Sequence, residues 1–117
     1  MNMPLDLFEV DIRLSTLLSD SIEEALGSLL GERVKQAIYG CLEREGLRKH
    51  QIPEHLQRFD TFLEDSFGRG GRVIERQIAK RLYTQLGLEL IEVPHYALTD
   101  YVVMASRRMS SVERTTN

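Results

Sequence analysis

The sequence of 117 residues has a single cysteine, and one thiol cannot form an internal disulfide. Chains without disulfides are typical of reducing compartments. No apolar run approaches the roughly 20 residues that a helix needs to cross a bilayer. The N-terminal segment MNMPLDLFEV also lacks the basic start and apolar stretch of a signal peptide. These absences predict a cytoplasmic protein that does not associate with a membrane.

Motifs that would carry catalysis, a cofactor or a metal are also missing. The glycine-rich segment Gly68–Gly71 could cradle an anion at a helix N-terminus, but it lacks the spacing and the lysine of a Walker loop, and the turn explains its glycines. His50 and His55 lie on either side of Pro53, so a shared helical face for zinc is not expected. We therefore predict no enzyme activity, no catalytic residues, no cofactor and no metal.

The lone thiol, Cys41, has a structural interpretation. It falls on the apolar face of a helical pattern, which predicts a buried core cysteine. A pairing with a distant histidine such as His95 would make it a candidate nucleophile, but almost any chain that contains both residue types would qualify.

Two amphipathic helical patterns joined by glycines dominate the segment from Ile52 to Leu90. Pro53 suits the first turn of a helix, because its ring fixes φ near the helical value and its missing N–H is not needed there. Apolar residues recur at helical spacing on both sides of the glycines. This pattern predicts a helical hairpin at the centre of the core, with four residues nearly fully buried: Phe59, Leu63, Ile78 and Leu82.

Helical patterns also flank the hairpin, starting at an N-cap at Ser19 or Asp20 and, near the C-terminus, at Thr99 or Asp100. The predicted fold class is therefore mainly α, a compact bundle of about five helices. We expect one domain over residues 1–117, with an N-terminal strand or arm at 1–15, a helical core at 19–110 and a frayed tail at 111–117.

A period of two distinguishes the N-terminal segment from the rest of the chain. Phe8, Val10, Ile12 and Leu14 alternate with polar residues, which is typical of a half-buried strand. Such a strand needs a partner, either the segment at residues 88–93 or the same segment of a second subunit. Since a symmetric pairing would cover both the backbone and the apolar face, we favour a homodimer. The alternative is that these residues extend the next helix.

Basic residues form the clearest candidate surface. Charge is uneven, with seven acids and one base in residues 1–32 against seven acids and eleven bases in residues 33–87. Within the basic part, five residues share one predicted helix face: Arg69, Arg72, Arg76, Lys80 and Arg81. This face could contact a phosphate backbone. The interpretation that we prefer is a solvated surface that acidic residues partly neutralise.

Several stretches resemble a known family. They are the helix GERVKQAIYGCLEREG, then IPEH, FLEDSFG before the glycines, VIERQIAKRLYTQLGL after them, and DYV at residues 100–102. Together they resemble a small domain family of archaea and some bacteria, the Nitrosopumilus output domain of the fifth type. The resemblance covers residues 31–104 and implies a compact helical domain, alone or at the output end of signalling proteins. It implies no catalytic residues.

The function that these observations favour is a non-catalytic helical module that acts through protein–protein contacts, in signal output or through self-association. The alternative is a small nucleic-acid-binding regulator that uses the basic face from Arg69 to Lys80.

Overall fold

The computed structural model describes the backbone of residues 3–115 and the side chains of residues 12–110. Its elements are α1 (Met3–Leu30), α2 (Glu32–Arg44), a 3₁₀ helix (Lys49–Glu54), α3 (Leu56–Phe67), α4 (Arg69–Leu86) and α5 (Leu98–Thr115). The prediction of a mainly α bundle of about five helices is confirmed, and the described residues contain no strand. None of their helices is long and apolar enough to span a membrane.

The hairpin of α3 and α4 supplies the centre of the core. Phe59 and Leu63 from α3, with Ile78 and Leu82 from α4, have no exposed surface, as predicted. The turn between the helices is shorter than the glycine pattern suggests, because α4 begins at Arg69 and only Gly68 lies between them. Gly68 has a φ of 56°, a conformation that side chains disfavour, and this makes the sharp reversal possible.

The predicted start of the hairpin is wrong. Pro53 lies inside the 3₁₀ helix rather than in the first turn of α3, which begins at Leu56. The buried side chain of Ile52 anchors this short helix in the core. Pro53 therefore belongs to the last turn of the 3₁₀ helix and not to the first turn of α3.

The predicted N-terminal strand is also wrong. The backbone from Met3 to Leu30 is one helix, so neither Ser19 nor Asp20 caps a helix start. A helix turns about 100° per residue, so a period-two set divides into two pairs on nearly opposite faces. Leu14 accordingly is buried, whereas Ile12 is 51% exposed. The side chains of Phe8 and Val10 lie outside the described residues.

The segment between α4 and α5 is irregular, so residues 88–93 are not the expected partner strand. Buried Tyr101 of α5 fixes this segment. Its hydroxyl lies 3.1 Å from the amide nitrogen of Val93, which donates to it, and 3.3 Å from the carbonyl oxygen of the same residue. The backbone of α5 continues to Thr115, into the tail that was predicted to fray.

Candidate functional site

All five residues of the basic face lie on α4, and most of them pair with acidic side chains. The guanidinium Nε of Arg72 lies 3.1 Å from Glu64, and its Nη1 donates to the carbonyl oxygen of His95 at 2.8 Å. Arg76 and Lys80 both lie 3.4 Å from the carboxylate of Glu92. Glu92 belongs to the irregular segment after α4, which folds back across the basic face.

The remaining two cations differ from each other. Arg81 lies 4.0 Å from Glu24 of α1, whereas Arg69 has no ion pair within the described part of the chain. Four of the five predicted surface cations therefore have an acidic neighbour. This arrangement favours a solvated, internally neutralised face over a nucleic-acid interface.

A groove lies between α1, the 3₁₀ helix and α5. Its volume is about 520 Å³, and it is lined by Leu14, Ser15, Leu18, Pro53, Glu54, Val102, Val103, Ser106 and Arg107. The residues that α1 contributes to the lining are Leu14, Ser15 and Leu18, which lie within little more than one turn of the helix. Pro53 and Glu54 are the part of the lining that the 3₁₀ helix contributes.

Exposed apolar side chains lie in the lining of this groove and next to it in the sequence. Val103 in its lining is 43% exposed, and Met104 beside it is 36% exposed. Ile12, which was part of the predicted dimer segment, is 51% exposed one turn before Ser15, but it does not line the groove and lies on nearly the opposite face of α1 from Leu14. Exposed arginines, Arg13 and Arg107, accompany these residues on the two helices. Glu54 in the lining is exposed as well, so the surface combines an apolar depression with charges of both signs.

A second constellation is buried and was missed by the sequence analysis. Glu75 of α4 has no exposed surface and Asp60 of α3 is 6% exposed. Glu75 Oε1 accepts a hydrogen bond from the backbone N–H of Leu98 at 3.2 Å. Asp60 Oδ2 accepts from the backbone N–H of Thr99 at 3.0 Å and from its hydroxyl. Two acids from neighbouring helices thus hold the first amides of α5.

These two carboxyl groups are electrostatically unusual. Burial, then the negative charge of Asp60, and then the hydrogen-bond contact with the Glu64 side chain and its charge, raise the pKa of Glu75 to about 9, and the amide of Leu98 only partly opposes this. Burial likewise raises the pKa of Asp60, against the bonds from Thr99. Asp60 Oδ1 and Glu75 Oε2 are buried and accept no hydrogen bond. The raised pKa values and the two unpartnered oxygens favour the form of the pair that carries a proton.

A third polar cluster joins α1 to α2 and the 3₁₀ helix. Glu23 of α1 forms ion pairs with buried Lys35 and, at 2.7 Å, with Lys49, and it accepts a hydrogen bond from Tyr39 at 3.0 Å. The bond from Lys35, then that from Lys49, lowers the pKa of Glu23 to about 2. Burial, aided by Glu23, raises the pKa of Tyr39. This cluster clamps three elements together and has no visible substrate-binding geometry.

Cys41 is half-buried, so the prediction of a fully buried thiol is wrong. Arg44, one turn later on α2, points its Nη2 at the sulfur from 3.1 Å. His50, His55 and His95 are all exposed and lie in different parts of the chain. Among the described residues, no three potential ligands converge in a way that would hold a metal ion.

The sequence does contain a signal for the buried acids. Glu75 precedes Ile78 and Ala79 by three and four residues, which places it on the apolar stripe of α4. Asp60 stands in the same relation to Leu63 of α3. An acid on an apolar face indicates a tertiary partner, but the sequence does not reveal that the partner is the start of α5.

Comparison with protein-family models, with curated proteins and with solved structures found no match to this chain. The resemblance to the output-domain family therefore stays a prediction.

Proposed function

We propose that this chain is a non-catalytic interaction module that pairs with a second copy of itself through the groove between α1 and α5. The observation that carries the proposal is the apolar groove, with exposed Val103 in its lining and exposed Met104 next to it on α5, together with exposed Ile12 one turn before the lining residue Ser15. Contiguous apolar surface of this kind on a small protein is typical of an interaction site.

The sequence of α1 supplies a matching occupant. Met3, Leu7 and Val10 precede Leu14 at spacings of eleven, seven and four residues, so the apolar stripe continues toward the helix start. Three acids, Asp6, Glu9 and Asp11, are interspersed with that stripe, and residues 3–11 contain no base.

Charge complementarity favours this segment over an unrelated partner. The groove has exposed Arg107 in its lining on α5 and exposed Arg13 nearby on α1, both opposite in sign to Asp6, Glu9 and Asp11, while exposed Glu54 lies in the part of the lining that the 3₁₀ helix contributes. If the first turns of one α1 lie in the groove of the other copy, a two-fold axis repeats the contact and makes the surface self-complementary. Complementary charge then sets the register of the two helices.

The alternatives have weaker support. The buried acids serve as caps of α5 and are closed to a substrate, which disfavours an enzyme. Glu24, Glu64 and Glu92 neutralise most of the basic face, which disfavours a nucleic-acid regulator. A role in signal output would suit a dimeric helical module and follows from the family resemblance.

Sedimentation velocity of matched variants tests the proposal. We expect the full chain to sediment as a dimer and Val103→Arg to sediment as a monomer, because a charge is placed inside the apolar contact. Val34→Arg is the control, since Val34 is 40% exposed on α2 and does not line the groove. Ile12→Arg should behave like Val103→Arg. A monomeric parent chain, or equal dissociation of all three variants, would contradict the proposal.

A further inference from the structure

Helix α5 belongs both to the groove and to the buried acidic pair. Val102, Val103, Ser106 and Arg107 of α5 line the groove, while the first turn of the same helix is held by Asp60 and Glu75. Local capping adds one bond, from the backbone N–H of Ala97 to Asp100 at 2.9 Å. The same helix thus forms part of the groove and donates, at its first turn, two backbone hydrogen bonds to the buried acids.

Both acids leave one oxygen without a partner in the interior. Asp60 Oδ1 and Glu75 Oε2 have almost no exposed surface and accept no hydrogen bond. A buried, ionised carboxylate is costly when it is incompletely hydrogen-bonded, and two of them side by side repel each other. A proton on the pair removes one charge and turns one of these oxygens into a donor.

We propose that Asp60 and Glu75 form a proton-operated clasp on the start of α5, which holds the helix in place when protonated and releases it, with the groove, when the proton is lost. The part that concerns the groove rests on the proposed function. The part that concerns α5 stands on the acid pair alone.

The groups around the clasp reinforce this behaviour. Glu64 of α3 raises the pKa of Glu75 first through a side-chain hydrogen-bond contact and then through its charge, although Arg72 of α4 pairs with Glu64 at 3.1 Å. From the α5 side, Asp100 is engaged with Ala97, and His95 in the preceding segment contributes its carbonyl oxygen to Arg72. From α1, within the described residues, the buried polar group is Ser21, whose hydroxyl donates to Leu17. None of these contacts places a cation directly on Glu75.

The direction of the pH dependence follows from the raised pKa values of Asp60 and Glu75. When α5 opens, Glu75 meets water and regains the ordinary pKa of an acid, so opening releases a proton. Raising the pH therefore favours opening, up to the raised pKa of the folded protein. In that range, one released proton increases the opening equilibrium by about tenfold per pH unit.

Amide hydrogen exchange measures this opening directly. The backbone N–H groups of Leu98 and Thr99 are the reporters, because they donate to Glu75 and Asp60. After correction for intrinsic exchange, we expect their protection in the full chain to fall about tenfold per unit between roughly pH 6 and pH 8. In Glu75→Gln, whose amide mimics the neutral acid, protection should change by less than about twofold over the same range.

Two further variants make the test specific. Asp65→Asn, an exposed acid on α3, should keep the slope of the parent chain. In Asp60→Asn the pH dependence of protection should end at lower pH, because burial still raises the pKa of Glu75 but the charge of Asp60 no longer adds to it. A parent chain whose Leu98 and Thr99 protection does not change with pH, or matches that of Glu75→Gln, would overturn the clasp.

Sedimentation of the same samples separates the clasp from the proposed function. We expect the parent dimer to dissociate toward pH 9 and the Glu75→Gln dimer to persist. A chain that is monomeric at every pH but shows the amide slope would overturn the proposed function and the control of the groove, and would support proton-dependent release of α5. If amide protection at Leu98 and Thr99 changes with pH but the dimer does not dissociate, only the claim that the clasp controls the groove is overturned.

Discussion

A β-carbon added to Gly71 would lie 2.6 Å from the carbonyl oxygen of Leu63, because the backbones of α4 and α3 touch at this point. No real β-carbon contact is that short, and the neighbouring atoms are backbone atoms that cannot rotate away. Close approach of the two helices just after the single-residue turn at Gly68 therefore requires a glycine here.

The contact predicts a sharp difference between neighbouring glycines. Gly71→Ala should destabilise the fold by about 1–3 kcal/mol, because the hairpin must open to admit the methyl group. Gly70→Ala is the control, since its β-carbon would lie an ordinary 3.6 Å from Phe67. That variant should be neutral or gain up to about 1 kcal/mol in helix propensity. Equal unfolding midpoints in urea for the two variants would contradict the packing described for α3 and α4.

Tyr101 predicts a second measurable cost. Its hydroxyl holds both backbone groups of Val93, so Tyr101→Phe leaves a partly buried N–H without its acceptor. We expect a loss of about 0.5–1.5 kcal/mol in the free energy of unfolding. Tyr96→Phe is the matched control, because the Tyr96 ring packs against Tyr101 at 5.1 Å but its hydroxyl makes no hydrogen bond among the described residues. Thermal or urea unfolding of both variants gives the comparison.

Glu23 predicts a loss of stability in acid. Because its pKa is lowered in the folded state, to about 2, its ion pairs stabilise the fold above the ordinary pKa of an acid. That stability should disappear as the pH falls toward 2. We expect Glu23→Gln to be less stable than the parent at neutral pH, with a difference that shrinks in acid.

Glu24→Gln provides the comparison for Glu23. Glu24 is the next residue of α1 and lies 4.0 Å from Arg81 at the surface, where an ion pair contributes little. Urea unfolding of both variants at several pH values checks the prediction. If Glu24→Gln loses as much free energy of unfolding as Glu23→Gln, the ion pairs of Glu23 stabilise the fold no more than a surface pair does, and the prediction is wrong.

The hairpin could be predicted from sequence because its signals agree with one another. Phe59, Leu63, Ile78 and Leu82 recur at helical spacing, Gly68 marks the break, and each of these four apolar residues is buried. Local pattern and tertiary packing impose the same structure here.

The start of the chain could not be predicted because two periodicities compete there. Phe8, Val10, Ile12 and Leu14 alternate as in a strand, yet the helical stripe through Leu14 and Leu18 continues into the core at Ile22. The burial of Leu14 and exposure of Ile12 follow the helical period. The short alternating segment is therefore helical, because it continues a long helix whose later turns are packed in the core.

The acidic pair could not be assigned from sequence for a different reason. Asp60 and Glu75 are fifteen residues apart, and the amides that they hold begin at Leu98. Tertiary capping of this kind depends on where three helices meet, which no local pattern encodes. The same limitation applies to Cys41, whose exposure depends on how far its neighbours cover α2.

Self-association through the α1–α5 groove is the central claim, and isotope-filtered nuclear Overhauser spectroscopy tests it most directly. In an equal mixture of labelled and unlabelled chains, only contacts between two copies give filtered cross-peaks. We expect such peaks from the methyl groups of Val103 and Ile12 to the N-terminal turns of the other copy. Their absence, or cross-peaks that arise instead from Val73 or Ile91 on other exposed surfaces, would contradict the claim.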